Sequence, residues 1–183
     1  MPSLAGKRIA ILVENLYEDL EFWYPYYRMK EEGADVIVVG TGSSDVYRGK
    51  HGLEAKPKVT ADKVSAGDFD AIIIPGGFAP DYMRRYPILL KLVRDMSDNG
   101  KIVAAICHAG WVLVSAGIVK GRSMTCFSSI RQDVINAGAE YVDSPVVKDR
   151  NLITSRAPAD LPIFCREIIA ALARTKVASA KAR

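Results

Sequence analysis

The apolar residues fall into short, nearly continuous runs set between longer stretches of helical period. Arg8-Ile-Ala-Ile-Leu-Val13, Ala34-Asp-Val-Ile-Val-Val39, Asp70-Ala-Ile-Ile-Ile-Pro75 and Lys101-Ile-Val-Ala-Ala-Ile106 are the runs. Aliphatic residues without alternation suit strands covered on both faces, as in a parallel sheet. Asp19 to Glu32 reads as a helix stopped by Gly33, with Pro25 predicting a kink or a later start. Pro80 to Asn99 reads as one helix, and Ala109 to Ala116, Ile130 to Asn136 and Asp160 to Arg174 as three more. Residues 41–67 are less regular, with a strand or hairpin expected over Lys50 to Val59. Ser123 to Phe127 predicts a strand, and Tyr141 to Ser155 a hairpin or two short strands with a turn around Asp149-Arg-Asn151.

Strands alternating with helices predict an α/β fold, a three-layer sandwich around a mainly parallel central sheet, flavodoxin-like in outline. No linker or repeat divides the chain, so a single domain over 1–183 is expected, with 1–7 and 176–183 as flexible ends. Functional residues of such sheets gather beyond the carboxyl ends of the strands. That marks Glu14 to Asp19, Gly40 to Ser44, Pro75 to Asp81 and Cys107 to Gly110.

Composition narrows the functional classes. The chain is 49% hydrophobic and 25% charged, which excludes a disordered or fibrous protein. Its apolar runs are too short to span a bilayer. The net charge of +4 is scattered along the chain and gives no nucleic-acid footprint. Neither a GxGxxG nor a GxxxxGK[ST] phosphate loop is present. Three cysteines with no CxxC, and no secretory signal in Met1 to Lys7, point to free thiols in a reducing cytoplasm. Only two histidines occur, His51 and His108, so no metal site is expected, and thiol chemistry on a carbonyl calls for no cofactor.

Ala105-Ile-Cys-His-Ala109 follows a buried run and opens a helix. This small-x-nucleophile-x-small layout is that of a nucleophile elbow, which exposes its central side chain at a tight turn. Nearby helix amides are expected to favour the Cys107 thiolate and lower its pKa. Cys126 and Cys165 read as buried structural cysteines. His108 is the candidate proton carrier, with His51 in an irregular region as the alternative. Gly76 and Gly77 leave backbone N–H groups uncovered and, with His108 N–H, could form an oxyanion site. Glu18 lies past the first strand. It reads equally as an acid beside the sulfur or as part of a solvated helix start with Asp19 and Glu21.

These segments together resemble the PfpI (intracellular protease I) branch of the DJ-1/PfpI superfamily, within the class I glutamine amidotransferase-like fold. The carrying residues are Glu18-Asp-Leu-Glu21 with Tyr24-Pro25, Lys50-His-Gly52, the Pro75-Gly-Gly77 turn, Ala105-Ile-Cys-His-Ala109, Ser115-Ala-Gly117, and Asn136-Ala-Gly138 through Ser155-Arg-Ala-Pro-Ala-Asp160. The resemblance implies Cys107 as nucleophile, His108 as its partner, Glu18 as the acid on sulfur, and the amides of Gly77 and His108 as the oxyanion site. It also implies an acid contributed by a neighbouring subunit, at the position of Asp81, and hence a homo-oligomer. Gly110 stands where the family often has proline. No histidine follows His108, which speaks against an amidotransferase triad.

The expected function is that of a cysteine enzyme acting on small reactive carbonyls, of glyoxalase III or deglycase type, through a covalent thiol adduct. One alternative is an intracellular cysteine peptidase. The other is a redox sensor or stress chaperone in which Cys107 oxidises without turnover. The expected partners are a small aldehyde or a glycated or peptide substrate, with neither nucleic acid nor membrane.

Overall fold

A computed structural model describes residues 3–174. In chain order its elements are β1 (Arg8–Val13), α1 (Asp19–Glu31), β2 (Asp35–Gly40), β3 (Tyr47–Arg48), β4 (Glu54–Ala55), β5 (Val59–Thr60), β6 (Ala71–Ile74), α2 (Ala79–Met83), α3 (Pro87–Asp98), β7 (Ile102–Ile106), α4 (Gly110–Ala116), β8 (Ser123–Met124), α5 (Arg131–Asn136), β9 (Glu140–Tyr141), β10 (Val146–Asp149), β11 (Leu152–Ser155) and α6 (Leu161–Arg174). Seven strands form one sheet in the order β10-β11-β7-β6-β1-β2-β5. Every pairing in it is parallel except the β10–β11 hairpin. The fold is thus the expected α/β sandwich with a mostly parallel sheet.

The four apolar runs are the four central strands. Every residue of β6 and β7 is buried, as two covered faces require. Order matters for the site. β7, β6 and β1 are neighbours, so the segments leaving their carboxyl ends meet, although about ninety residues separate the first from the last.

Several local expectations are corrected. The helix read over Pro80 to Asn99 is two, α2 and α3, because Pro87 forces Tyr86 into an extended conformation (φ −103°, ψ 101°). Pro25 lies inside α1, which begins at Asp19. The strand expected over Ser123 to Phe127 is only β8, two residues paired with β9. The hairpin expected within residues 50–59 is the β3–β4 pair, offset toward Tyr47. The β10–β11 hairpin turns as read, with Arg150 at φ +53°. The frayed tail expected from Lys176 lies outside the described residues. Among the described residues no helix is long and apolar enough to cross a membrane.

Candidate active site

Cys107 sits directly after β7 with φ +62°, a left-handed conformation costly for a side-chain-bearing residue. This is the strand-to-helix turn read from the sequence, followed by a single 3-10 turn and then α4. The sulfur lies in a cavity of about 230 Å³ lined in part by Glu18, Glu21, Lys50, Gly77, His108 and Phe127. Cys107 is nonetheless 8% exposed. The backbone N–H groups of Gly77 and His108 both donate to its sulfur.

His108 shares this pocket. Its Nδ1 stands 3.2 Å from Cys107 Sγ, so the bent backbone brings the adjacent side chains together. Phe127 stacks on the ring at 5.0 Å, and Trp111 meets it edge-on at 5.3 Å. Burial and the nearby Lys50 charge push the imidazole below its ordinary pKa, so it is neutral at pH 7. On the far side, Ser129 Oγ lies 3.0 Å from His108 Nε2. Nothing in the sequence flagged Ser129, because it lies in an irregular segment twenty-one residues on. The alternative histidine, His51, is an exposed residue whose Nε2 lies 3.6 Å from Glu18.

The acid assignment is corrected. The Glu18 carboxylate pairs with Lys50 Nζ at 2.9 Å and faces the pocket rim. The acid coupled to the Cys107 thiol is Glu21, one helical turn further along α1 and fully buried. Its Oε2 accepts the Gly76 N–H at 2.8 Å, and its Oε1 is buried without a hydrogen-bond partner. Burial raises the Glu21 carboxyl to about 7. The sequence did hold a signal for it. Glu21 falls on the same stripe of α1 as the buried Phe22, Pro25 and Met29.

This arrangement also removes Gly76 from the oxyanion site, since its N–H is engaged by Glu21. A side chain could not replace either glycine. A Cβ on Gly76 would stand 2.5 Å from Glu21 Oε2 and 2.8 Å from Cys107 Cβ. Gly77 has φ +80°, and a Cβ there would stand 2.5 Å from Glu18 N and Leu16 O. That tightness reflects a zipper between two loops, in which Glu18 N donates to Gly76 O and Phe78 N to Leu16 O.

The thiol does not have the lowered pKa expected from the helix amides. Burial and the Glu21 charge push it up to about 12, outweighing the two amide donors. Glu21 and Cys107 are both raised, so near neutral pH the pair holds its protons more tightly than isolated groups would. Cys126 and Cys165 are buried, as expected of structural cysteines. Asp81 does not line this cavity and pairs with Arg85 at 2.7 Å. Gly40 to Ser44, another of the places marked from sequence, does not line this cavity; the Thr41 and Ser43 hydroxyls there donate to buried Glu14. Lys50 is held in the pocket by its own loop, which Asp19 ties down through the N–H groups of His51 and Leu53.

A mostly parallel α/β sheet with a cysteine on a left-handed turn beyond a central strand defines a protein of the nucleophile-elbow class. Within that class the chain belongs to the DJ-1/PfpI family, whose family model matches residues 7–171. It is 43% identical over 162 residues to the deglycase PfpI of Pyrococcus furiosus, covering 88% of this chain and 97% of that one. It is 40% identical over 167 residues to protein/nucleic acid deglycase 2 of Escherichia coli, covering 90% and 96%. Its fold superposes on the crystal structure of Drosophila melanogaster DJ-1beta with a TM-score of 0.86 at 29% identity, covering 92% of this chain and 91% of that one.

Proposed function

We propose that this protein is a cysteine-dependent deglycase of the DJ-1/PfpI type that acts on small reactive carbonyls through a covalent thiol adduct. The observation that carries this is the 3.2 Å contact between Cys107 Sγ and His108 Nδ1, beneath the amides of Gly77 and His108. A neutral imidazole at that distance takes the thiol proton as sulfur attacks a carbonyl carbon. Sulfur–carbon bonding converts the C=O to an oxyanion, which competes for the two amides and then receives the proton, giving a hemithioacetal.

With a 2-oxoaldehyde, a proton leaves the adduct carbon and another arrives at the neighbouring carbonyl carbon. The adduct thereby becomes the thioester of a 2-hydroxy acid. Water hydrolyses it and restores the thiol, so the net reaction is aldehyde plus water to hydroxy acid, with no glutathione or redox partner. In the deglycase sense, the substrate is the same carbonyl held as an adduct of an amine or thiol. The cavity of about 230 Å³ suits such a small group better than an extended peptide.

The exposed face of α1 supports a homo-oligomer. Leu20 and Tyr27 are each more than half exposed there, beside the partly buried Trp23 and Tyr26. Asp81, directed outward, is the acid available to a neighbouring copy's site. Three free cysteines suit a reducing compartment, and we place the protein in the cytoplasm.

Wild type, Cys107→Ala and His108→Ala, assayed with methylglyoxal and with a fluorogenic peptide in the absence of glutathione, test the reading. Wild type should convert methylglyoxal to lactate. Cys107→Ala should be inactive and His108→Ala slower by about a hundredfold or more. Peptide turnover alone would assign a peptidase. No turnover, with selective oxidation at Cys107, would assign a redox sensor.

A further inference from the structure

His108 makes two polar side-chain contacts. Nδ1 faces Cys107 Sγ at 3.2 Å and Nε2 faces Ser129 Oγ at 3.0 Å. A neutral imidazole carries one N–H and one lone pair. To accept the thiol proton, Nδ1 must hold the lone pair, so Nε2 must carry the hydrogen and needs an acceptor. Ser129 Oγ stands at that position.

The turn that carries the exposed Ser129 hydroxyl is held by backbone hydrogen bonds. Phe127 N donates to Cys107 O at 3.2 Å, and Ile130 N to Phe127 O at 3.1 Å, closing a 3-10 turn over Ser128–Ile130. Ile130 anchors that turn in the core, 1% exposed. The Phe127 ring lies against the imidazole face, so the same short segment fixes the plane of the ring and caps its far nitrogen. A hydroxyl also differs from a carboxylate in this position. It accepts the hydrogen without adding a charge that would favour the imidazolium, which keeps His108 a base. The nearby Asp133 carboxylate is directed elsewhere, accepting from Trp111 Nε1 at 2.7 Å.

We propose that Ser129 is a positioning residue, accepting the His108 Nε2 hydrogen so that Nδ1 is free to take the Cys107 proton. The part of the catalytic unit supplied by one chain is then Cys107–His108–Ser129. Its kinetic consequence rests on the proposed thiol chemistry, whereas the tautomer it sets does not.

The test uses protein labelled with ¹⁵N-histidine, in which His51→Gln assigns the two histidines. Wild type at neutral pH should show His108 protonated at Nε2 and unprotonated at Nδ1. Ser129→Ala should give a mixture of tautomers. Iodoacetamide labelling of Cys107, followed by peptide mass, should slow about tenfold, and Ser129→Thr should restore both readouts. With methylglyoxal, Ser129→Ala should lower kcat with KM little changed. A wild-type proton on Nδ1 would overturn the proposal, as would a Ser129→Ala variant with unchanged tautomer and labelling rate. If methylglyoxal proves not to be a substrate, the spectroscopic and labelling arms still decide the role of Ser129.

Discussion

Glu21 Oε2 accepts a hydrogen bond from Gly76 N–H at 2.8 Å, so a buried acid on the first helix holds the loop that follows β6. The same carboxyl couples to the Cys107 thiol. One side chain therefore joins two of the three segments of the site and sets the electrostatics of the third.

Substitution separates this role from that of Glu18. Glu21→Gln keeps an acceptor for Gly76 and removes the negative charge. Iodoacetamide labelling of Cys107 should then rise at a pH lower by about one unit. Glu18→Gln, which loosens Lys50 at the rim, should move the labelling profile far less. Equal shifts in the two variants would refute the assignment of Glu21 as the acid on sulfur. Glu21→Ala should instead destabilise the fold by about 2–4 kcal/mol, since it orphans the Gly76 amide and leaves a cavity.

The raised Glu21 carboxyl makes stability depend on pH in a defined direction. Its value moves from 4.5 to about 7 on folding. Between those values the folded chain holds a proton that the unfolded chain releases, so stability falls as pH rises through this window and levels off above it. The upper bound on the loss is roughly 3 kcal/mol. Urea unfolding at pH 5 and pH 8 should show the decline in wild type and a much flatter profile in Glu21→Gln. A rise in wild-type stability over that interval attributable to residue 21 would contradict the burial argument.

How far the sequence foretold these features depends on the range of the forces involved. The four central strands, the elbow and the Cys107–His108 pair were legible because each is a local pattern of a few residues. The break at Tyr86 was legible in principle, since Pro87 restricts the residue before it, yet the apolar period across the break concealed it. Glu21 was misjudged because an acid in a first helical turn ordinarily faces water, and only the packing of α1 buries this one. Ser129 was invisible because its contact with His108 spans twenty-one residues, α4 and β8 among them, and no local pattern marks it.

Backbone strain at the nucleophile yields a further expectation. Cys107 has φ +62°, which glycine adopts without cost. Cys107→Gly should therefore be more stable than Cys107→Ala by about 1 kcal/mol in urea unfolding, with both inactive. Equal stabilities would show that the turn stores no such strain.

Gly77 should be intolerant of any side chain. A Cβ would strike the backbone of both Leu16 and Glu18, neither of which can rotate away. Gly77→Ala should lower the midpoint of thermal unfolding and displace the amide that faces the sulfur. Loss of Cys107 adduct formation at temperatures where the variant remains folded would separate the second effect from the first.

The neighbouring arrangement of β7, β6 and β1 governs when the chemistry becomes available. Glu21, Gly77 and Cys107 come from distant parts of the chain and meet only after two non-local parallel pairings have formed, β1–β6 and β6–β7, which are slow steps in folding. During synthesis the cysteine emerges long after the first strand, and until the sheet closes it lacks the Gly77 amide and the Glu21 carboxyl. The environment that sets the protonation of Cys107 is therefore a property of the finished sheet, and the nascent chain carries a thiol not yet subject to it.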